Sequence, residues 1–483
     1  MRTTNRLLIV AFLLGACGGD SGVGSSGGFG ATVGGVKDMR YARDLISKGM
    51  IPPSDAILVE AMFSEHDLAL DGPLCGRTLC LRAAGGFAPG LDGTGRGFAQ
   101  VGLSSAVNPD TWERPATTFI FTADTSGSMG WGYADGTTPG ELSRGLMHTL
   151  TEQLRDDDQV AIVTYGSTVH TNLPLTSGSQ KTKIHQVIAS LSEDGVTDME
   201  SGMRRAYELA ATAPASTPNI RVIVFTDTQP NVGATSPSSF NGLVANASNT
   251  HVYTTVLGLG VGMGPEVFRA MANLRGANAF SLTTKEDIGA WYLDEWPWFT
   301  TPIAFDLRVN ATLANGWSIE RGFGFPAASD AQQVGLKAST VFLSKHKGAL
   351  LVSFKSPDGT PDTFDGLFSL AYNEADGTPI ADAASFAYDG TPLDARSQWF
   401  AQHGVARTTA LALLTDGMHK AAVDYSQNPT SAEATMRAAY ERFVADAAAL
   451  GDPDMQQEVD LAGALLSLIE GRAEQGTLYG VSN

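Results

Sequence analysis

Between residues 116 and 300 the chain alternates apolar, β-branched runs with amphipathic segments, and this alternation limits the fold more than any other feature. The runs at 118–123, 159–165 and 220–226 predict strands, each separated from the next by helical sequence. Strands that alternate with helices indicate a mostly parallel sheet with helices on both faces. A run as continuous as Val222–Phe225 is typical of a strand that is covered on both faces. The segment therefore predicts an α/β, doubly wound fold.

Small oxygen-bearing side chains stand at the ends of two of these strands and in the loop between them. In chain order they are Asp124, Ser126, Ser128, Thr197 and Asp227. In an open α/β sheet, ligands bind outside the carboxyl ends of the strands, at a topological switch point. Two carboxylates and three hydroxyls form an oxygen-only set, which suits a hard divalent cation such as Mg²⁺. The alternative is that these residues only form the turns that end the strands.

The order and type of these five residues resemble the metal-ion-dependent adhesion site of von Willebrand factor type A (VWA) domains. The family pattern is Asp-x-Ser-x-Ser, then Thr, then Asp. The resemblance implies that Ser126, Ser128 and Thr197 are hydroxyl ligands, while Asp124 and Asp227 bind the cation directly or through water. The cation is expected to be Mg²⁺ or another hard divalent ion such as Mn²⁺ or Ca²⁺. The resemblance also implies a protein or peptide partner whose acidic side chain completes the metal shell.

Similarity to this family extends along the chain. Residues 44–63 resemble the N-terminal segment of bacterial VWA lipoproteins, and residues 348–359 with the helical tail resemble their C-terminal domain. Within the site motif, Thr228 departs from the glycine that often follows the last aspartate, which concerns the shape of the loop and none of the ligands. The implied organisation is a VWA-associated region at 37–115, a VWA (Rossmann-like) domain at 116–300, a β-rich accessory domain at 301–395 and a helical C-terminal region at 396–483.

The N-terminus carries the pattern of a secretory signal. Arg2 and Arg6 precede an apolar run, 7–14, that is far shorter than the roughly 20 residues of a membrane-spanning helix. The sequence Leu14-Gly15-Ala16-Cys17 resembles the bacterial lipobox, in which small residues precede a cysteine that becomes acylated. We therefore expect residues 1–16 to be a signal peptide and Cys17 to carry lipid. The alternative is an ordinary signal peptide followed by an unmodified cysteine.

A glycine-rich stretch follows Cys17, with nine glycines among residues 18–35. Such a composition predicts a flexible tether, here 17–36, between a lipid anchor and the folded domains. The predicted location is the cell envelope. The outer membrane is favoured because Gly18 replaces the aspartate that would retain a lipoprotein at the inner membrane of a Gram-negative cell.

The chain has three cysteines, and the odd number fits this interpretation. If Cys17 carries lipid, Cys75 and Cys80 are left to pair across the short loop CGRTLC in an oxidising compartment. Two free thiols are the alternative.

Several classes of function are disfavoured. The formal net charge of −19, without any Lys/Arg run, argues against nucleic-acid binding. Ser126 stands where phosphatases of the haloacid-dehalogenase type need a second aspartate, and it also replaces the first glycine of a Gly-x-Ser-x-Gly nucleophile motif. The glycines of 258–264 miss the dinucleotide-binding spacing. We therefore expect a binding protein and no enzyme. The alternative is an envelope structural or assembly factor whose flanking domains bind the partner while the metal is only structural.

Overall fold

The structure is a computed structural model that describes residues 29–477, apart from 109, 134–135, 194, 297, 314–315, 327–335 and 357–362. The predicted signal peptide, Cys17 and the tether up to residue 28 lie outside the described residues. The strands are β1 (Gly30–Val33), β2 (Gly35–Val36), β3 (Cys80–Pro89), β4 (Gly95–Ser104), β5 (Thr117–Asp124), β6 (Gln159–Tyr165), β7 (Val169–Ser177), β8 (Asn219–Thr226), β9 (Val252–Leu259), β10 (Asn278–Leu282), β11 (Pro302–Leu313), β12 (Ser318–Phe323), β13 (Lys337–Ser344), β14 (Ala349–Lys355), β15 (Phe364–Glu374) and β16 (Pro379–Tyr388). The α-helices are α1 (Arg40–Ser47), α2 (Val59–Glu65), α3 (Pro139–Glu152), α4 (Lys181–Ala189), α5 (Met199–Ala210), α6 (Pro237–Asn249), α7 (Pro265–Ala272), α8 (Lys285–Asp294), α9 (His403–Tyr425), α10 (Pro429–Leu450) and α11 (Gln456–Glu470).

One sheet contains seven strands in the order β2-β10-β9-β8-β5-β6-β7. All neighbouring strands run parallel except β6 and β7 at one edge. This arrangement confirms the predicted α/β class. The connection after β5 leads to β6 on one side, and the connection after β8 leads to β9 on the other side. The topological switch point therefore lies between the carboxyl ends of β5 and β8, and the sequence places an aspartate at each of these ends.

Helices cover both faces of this parallel sheet. Apolar residues of α3, α4 and α8 pack on one face, and those of α5, α6 and α7 pack on the other. Every residue of β5 and of β9 is buried, as expected for strands between two helical layers. The alternation of apolar strands with amphipathic helices thus builds the layers that its pattern predicts. The strand β7 and the helix α6 were not predicted.

A second sheet has nine strands and is antiparallel throughout its described pairs. Its order is β12-β14-β4-β1-β13-β11-β15-β16, and β3 pairs with β4 in addition. Three of these strands precede the parallel sheet in the chain and six follow it. The two flanking segments, 37–115 and 301–395, therefore supply strands to one common sheet with its own apolar core.

The tether prediction is wrong for residues 29–36. These residues are buried, with β1 paired to β13 of the antiparallel sheet and β2 paired to β10 of the parallel sheet. Glycine is needed here for close packing, because a Cβ atom on Gly30 would lie 1.8 Å from the backbone oxygen of His346. Composition alone predicted flexibility since it cannot distinguish a glycine that frees the backbone from one that makes room for a neighbour.

The helical C-terminal region is confirmed, and its helices α9 and α10 form a packed pair. Helix α9 also packs on β3, β4 and β14 of the antiparallel sheet and on α2. Within residues 29–477, none of the described helices combines the length and the apolar character that crossing a bilayer requires. Cys75 and Cys80 are joined as a disulfide, with their Cα atoms 5.6 Å apart.

Candidate metal site

The first loop of the site begins where β5 ends. Asp124 closes the strand by accepting a hydrogen bond at Oδ1 from the backbone N–H of Ser126, at 2.9 Å. A 3₁₀ turn, Gly127–Gly130, follows, and the fully buried Met129 within it fixes the turn to the core. The hydroxyl oxygens of Ser126 and Ser128 lie 3.2 Å apart on one side of this turn. The local sequence therefore brings one carboxylate and two hydroxyls together at the sheet edge.

The second loop carries Thr197 and is tied directly to the first. The backbone N–H of Gly127 donates to the carbonyl of Gly195 at 3.0 Å. Gly195 has a φ of +86°, and a Cβ atom there would lie 1.9 Å from the Oγ atom of Ser167, so glycine is required at this crossing. The Thr197 side chain is buried at this point of contact.

The third loop follows β8 and carries Asp227. It joins the second loop through Asn231, whose Oδ1 accepts from the backbone N–H of Thr197 at 2.9 Å and whose N–H donates to the Thr197 carbonyl at 3.2 Å. The carboxylate of Asp227 accepts from the backbone N–H of Gln229 at 3.2 Å and is hydrogen-bonded to Ser128. The structure thus places all five predicted residues on three mutually hydrogen-bonded loops at the switch point.

The two carboxylates of the site are buried, with 2% of each residue exposed. Burial, followed by the negative charge of Asp227, raises the pKa of Asp124 to about 7. Burial also raises the pKa of Asp227, against the hydrogen bond from Ser128. Two like charges in one dry location oppose each other's ionisation, and a cation between them removes that opposition.

Thr226 and Asn231 also contribute to the site, although their place in the sequence pattern did not predict a role for them. The hydroxyl of Thr226 donates to Oδ2 of Asp124 at 2.9 Å and accepts from the backbone N–H of Thr228 at 3.0 Å, so it holds one carboxylate and the third loop together. Asn231 plays the corresponding part for Thr197. Both residues flank Asp227 in the segment TDTQPN, where a polar side chain on each side of the aspartate was the available signal.

Thr228 adopts a φ of +52°, in the left-handed region that a β-branched residue rarely occupies. Its hydroxyl donates to the carbonyl of Gly264 at 2.7 Å, and the N–H of Gly264 donates to the carbonyl of Asp227 at 2.9 Å. The loop therefore keeps the backbone shape that glycine would adopt easily, at a conformational cost of about 1–2 kcal/mol. Threonine at position 228 therefore adds strain to the loop but leaves the backbone shape of the loop unchanged.

The donor set fits a hard cation such as Mg²⁺. It offers carboxylate and hydroxyl oxygens, with neither thiolate nor imidazole among the five side chains. Among the described residues, no three His, Cys, Asp or Glu side chains converge as a metal-binding group. The candidate site differs from such a group because only two of its five donors are carboxylates and the other three are hydroxyls.

The fold and the site define an α/β domain with an oxygen-rich cluster at the switch point of a parallel sheet. Residues 119–229 match the von Willebrand factor type A domain family. The chain therefore contains a VWA domain, as its motif predicts. Domains of this family often bind a divalent metal, and they point to protein–protein interaction or adhesion as the class of function.

Two relatives give the extent of the similarity. Over 223 residues the chain is 29% identical to the uncharacterised protein YfbK of Escherichia coli (strain K12), which covers 45% of this chain and 38% of that protein. The match thus spans less than half the length of that relative. The solved structure of a von Willebrand factor type A protein from Catenulispora acidiphila superposes with a TM-score of 0.52 at 13% identity, covering 84% of this chain and 98% of that one. The structural likeness extends the shared fold beyond the VWA domain.

Proposed function

We propose that this protein is a cell-envelope lipoprotein whose VWA domain binds a protein or peptide partner through a hard divalent cation, with Mg²⁺ as the first candidate. The observation that carries the proposal is the convergence of Asp124, Ser126, Ser128, Thr197 and Asp227 on three hydrogen-bonded loops. When bound, the cation supplies a positive centre that accepts oxygen ligands. The proposed role is binding without catalysis.

The residues of this site have different roles. Asp124 and Asp227 supply the negative charge that holds a cation, and the three hydroxyls supply neutral oxygens. Because hydroxyls are weak donors, a cation held by this set retains affinity for one further carboxylate. Thr226 and Asn231 keep the carboxylate of Asp124 and the backbone of Thr197 in place.

Calorimetry with MgCl₂ on the parent and on Asp124→Ala tests the metal site. We expect the parent to bind and the variant to lose binding, while circular dichroism shows the same fold. Equal affinities would refute the site. Partner capture from envelope extracts with and without EDTA tests the binding role, and we expect the chelator to release the partner.

The lipid anchor requires its own test, because Cys17 lies outside the described residues. Cys17→Ser should move the protein from the membrane fraction to the soluble fraction. Membrane association that persists in this variant would contradict acylation at Cys17.

The alternative function is an envelope structural or assembly factor that binds through its flanking segments. A cavity of about 590 Å³ between the antiparallel sheet and helices α9 and α10 favours this alternative. Charged side chains of both signs line it, namely Asp92, Arg96, Glu320, Arg321, Asp416 and Lys420. Capture of a partner that EDTA does not release, and that Arg321→Ala abolishes, would support this role.

A further inference from the structure

Each of the three loops that form the candidate site also carries one exposed large apolar side chain. Trp131 follows the turn that bears Ser128, Val196 precedes Thr197, and Val232 lies five residues after Asp227. Their exposed fractions are 39% for Trp131 and 41% for each valine. We call these three residues the apolar rim.

The rim is held together by the same hydrogen bonds that assemble the site. The backbone N–H of Val232 donates to the carbonyl of Thr197 at 3.3 Å, which places it beside Val196. The backbone N–H of Trp131 donates to the carbonyl of Ser128 at 3.0 Å. The backbone N–H of Gly127, in the same turn, donates to the carbonyl of Gly195, next to Val196, at 3.0 Å. The three residues therefore lie on loops that meet at the site.

Packing within the chain leaves 39–41% of each rim residue exposed. None of the rim residues belongs to the three apolar clusters of the described structure. Single exposed apolar side chains are common on protein surfaces, but a group of them around a polar centre is typical of an interaction site. The other exposed large apolar residues among those described lie in separate elements, namely Leu74, Leu367, Leu393, Val423 and Val444.

Charge favours an apolar contribution to binding. The chain has a formal net charge of −19, so it repels an acidic partner. Salt screens this repulsion beyond roughly 8 Å. The two carboxylates of the site formally neutralise a divalent cation, which removes long-range attraction as well. Affinity for a carboxylate must then be supplemented at short range, and burial of apolar surface provides such a contribution.

We propose that the partner presents one Asp or Glu flanked by large apolar side chains, which contact the apolar rim while the carboxylate reaches the site. This inference rests on the proposed function and specifies its ligand. In an extended segment, residues two positions from the acid lie about 7 Å away on the same face, so apolar residues within four positions of it are near enough to contact the loops.

The test pans the full-length chain against a random nonapeptide library with a fixed central aspartate, once in MgCl₂ and once in EDTA. We expect enrichment of Leu, Ile, Val, Phe or Trp within four positions of the aspartate, in MgCl₂ only. Mg²⁺-dependent enrichment of polar or basic flanks would overturn the apolar rim and leave the proposed function standing. Absence of any Mg²⁺-dependent enrichment would count against both.

The variant Trp131→Ser/Val196→Ser/Val232→Ser separates partner binding from metal binding. We expect it to bind MgCl₂ within about twofold of the parent and to bind the selected peptide at least about tenfold more weakly, since truncated contacts at an interface centre have effects of this size. Trp131→Phe should retain most of the peptide affinity. Leu393→Ser/Val423→Ser is the matched control, because it removes apolar residues of similar exposure elsewhere. Unchanged peptide affinity in the triple variant would refute the rim.

Discussion

The two sheets of this protein are built in opposite ways. The parallel sheet takes six of its seven strands from one continuous stretch, β5 to β10, and carries polar residues at the carboxyl ends of β5 and β8. The antiparallel sheet takes its nine strands from both sides of that stretch, so that Gly30 lies opposite Ser344. The parallel sheet thus concentrates the candidate chemistry at one edge, while the antiparallel sheet joins the segments before and after the parallel sheet.

Where the sheets meet, a buried cation links them. Arg221 on β8 is fully buried, and its guanidinium lies 5.7 Å from the ring of Tyr253 on β9 and 5.5 Å from the ring of Phe342 on β13. The site edge thus presents charge that a ligand would complete, whereas apolar packing surrounds an internally held charge at the joint between the sheets. Substitutions at the two places should therefore act on different measurable quantities.

The largest expected effect is on metal affinity at the parallel sheet. Asp227→Asn should weaken Mg²⁺ binding roughly thousandfold, equivalent to about 4 kcal/mol, because one of the two charged donors is lost. Asp365→Asn, an exposed aspartate of β15 in the antiparallel sheet, is the matched control and should leave the affinity unchanged. Calorimetry measures both, and equal losses would show that the two sheets do not differ in this respect.

The next effect is on the joint between the sheets. Arg221→Ala should lower the free energy of unfolding by about 3–4 kcal/mol, because it opens a cavity between β8 and β13. Arg221→Met should have a smaller effect, since methionine fills similar space and the Nε and Nη2 atoms of Arg221 have no hydrogen-bond partner among the described residues. It loses only the bonds from Nη1 to the Thr255 hydroxyl and to the carbonyls of Thr254 and Gly276. Urea denaturation checks both. Arg204→Met, on the surface of α5, is the control, and an Arg221→Met variant as unstable as Arg221→Ala would contradict the explanation.

The next prediction concerns the pH dependence of stability at Glu60, which lies on α2. Burial raises the pKa of Glu60 to about 7, against the positive charge of Arg269. The folded state then holds its proton longer than the unfolded state does, so the contribution of Glu60 to stability is complete below about pH 4.5 and is lost as pH rises through 7. Glu60→Gln should remove that loss. The free energy of unfolding of the variant minus that of the parent should therefore be about 3 kcal/mol greater at pH 8 than at pH 4.

Denaturation of the parent and of Glu60→Gln at both pH values measures this difference. Glu266→Gln, at an exposed position of α7, is the control and should show no such dependence. A constant gap between Glu60→Gln and the parent across this range would mean that Glu60 does not titrate on folding.

The smallest expected effect concerns the disulfide at the start of β3. Cys75→Ser/Cys80→Ser should lower the free energy of unfolding by about 2 kcal/mol, because a short closed loop restricts the unfolded chain only moderately. Mg²⁺ affinity should not change, since the disulfide belongs to the antiparallel sheet. Denaturation and calorimetry on the same samples check both statements, and altered metal affinity would link the two sheets more closely than their contacts suggest.

Apart from β2 and β7, the parallel sheet and the position of the candidate site were predictable from the sequence. Both follow from local patterns, because the alternation of strands and helices sets the layers and the residues after β5 and β8 must lie at one edge. The three loops could be placed together, but their hydrogen bonds through Gly195, Thr226 and Asn231 could not be foreseen, since each joins residues distant in the chain.

The role of the segments that flank the parallel sheet depends on contacts between residues far apart in the chain. Gly30 and its neighbours look like a flexible linker in composition, yet they form β1 and β2 by pairing with distant strands. The backbone at His346 lies too close to Gly30 for any side chain there. The pairing of β1 with β13 and of β4 with β14 joins segments hundreds of residues apart, and no local pattern encodes such a partner. Burial of Arg221 and Glu60 likewise depends on elements that meet only in the folded state, so the pKa of Glu60, which burial raises, is a property of the fold.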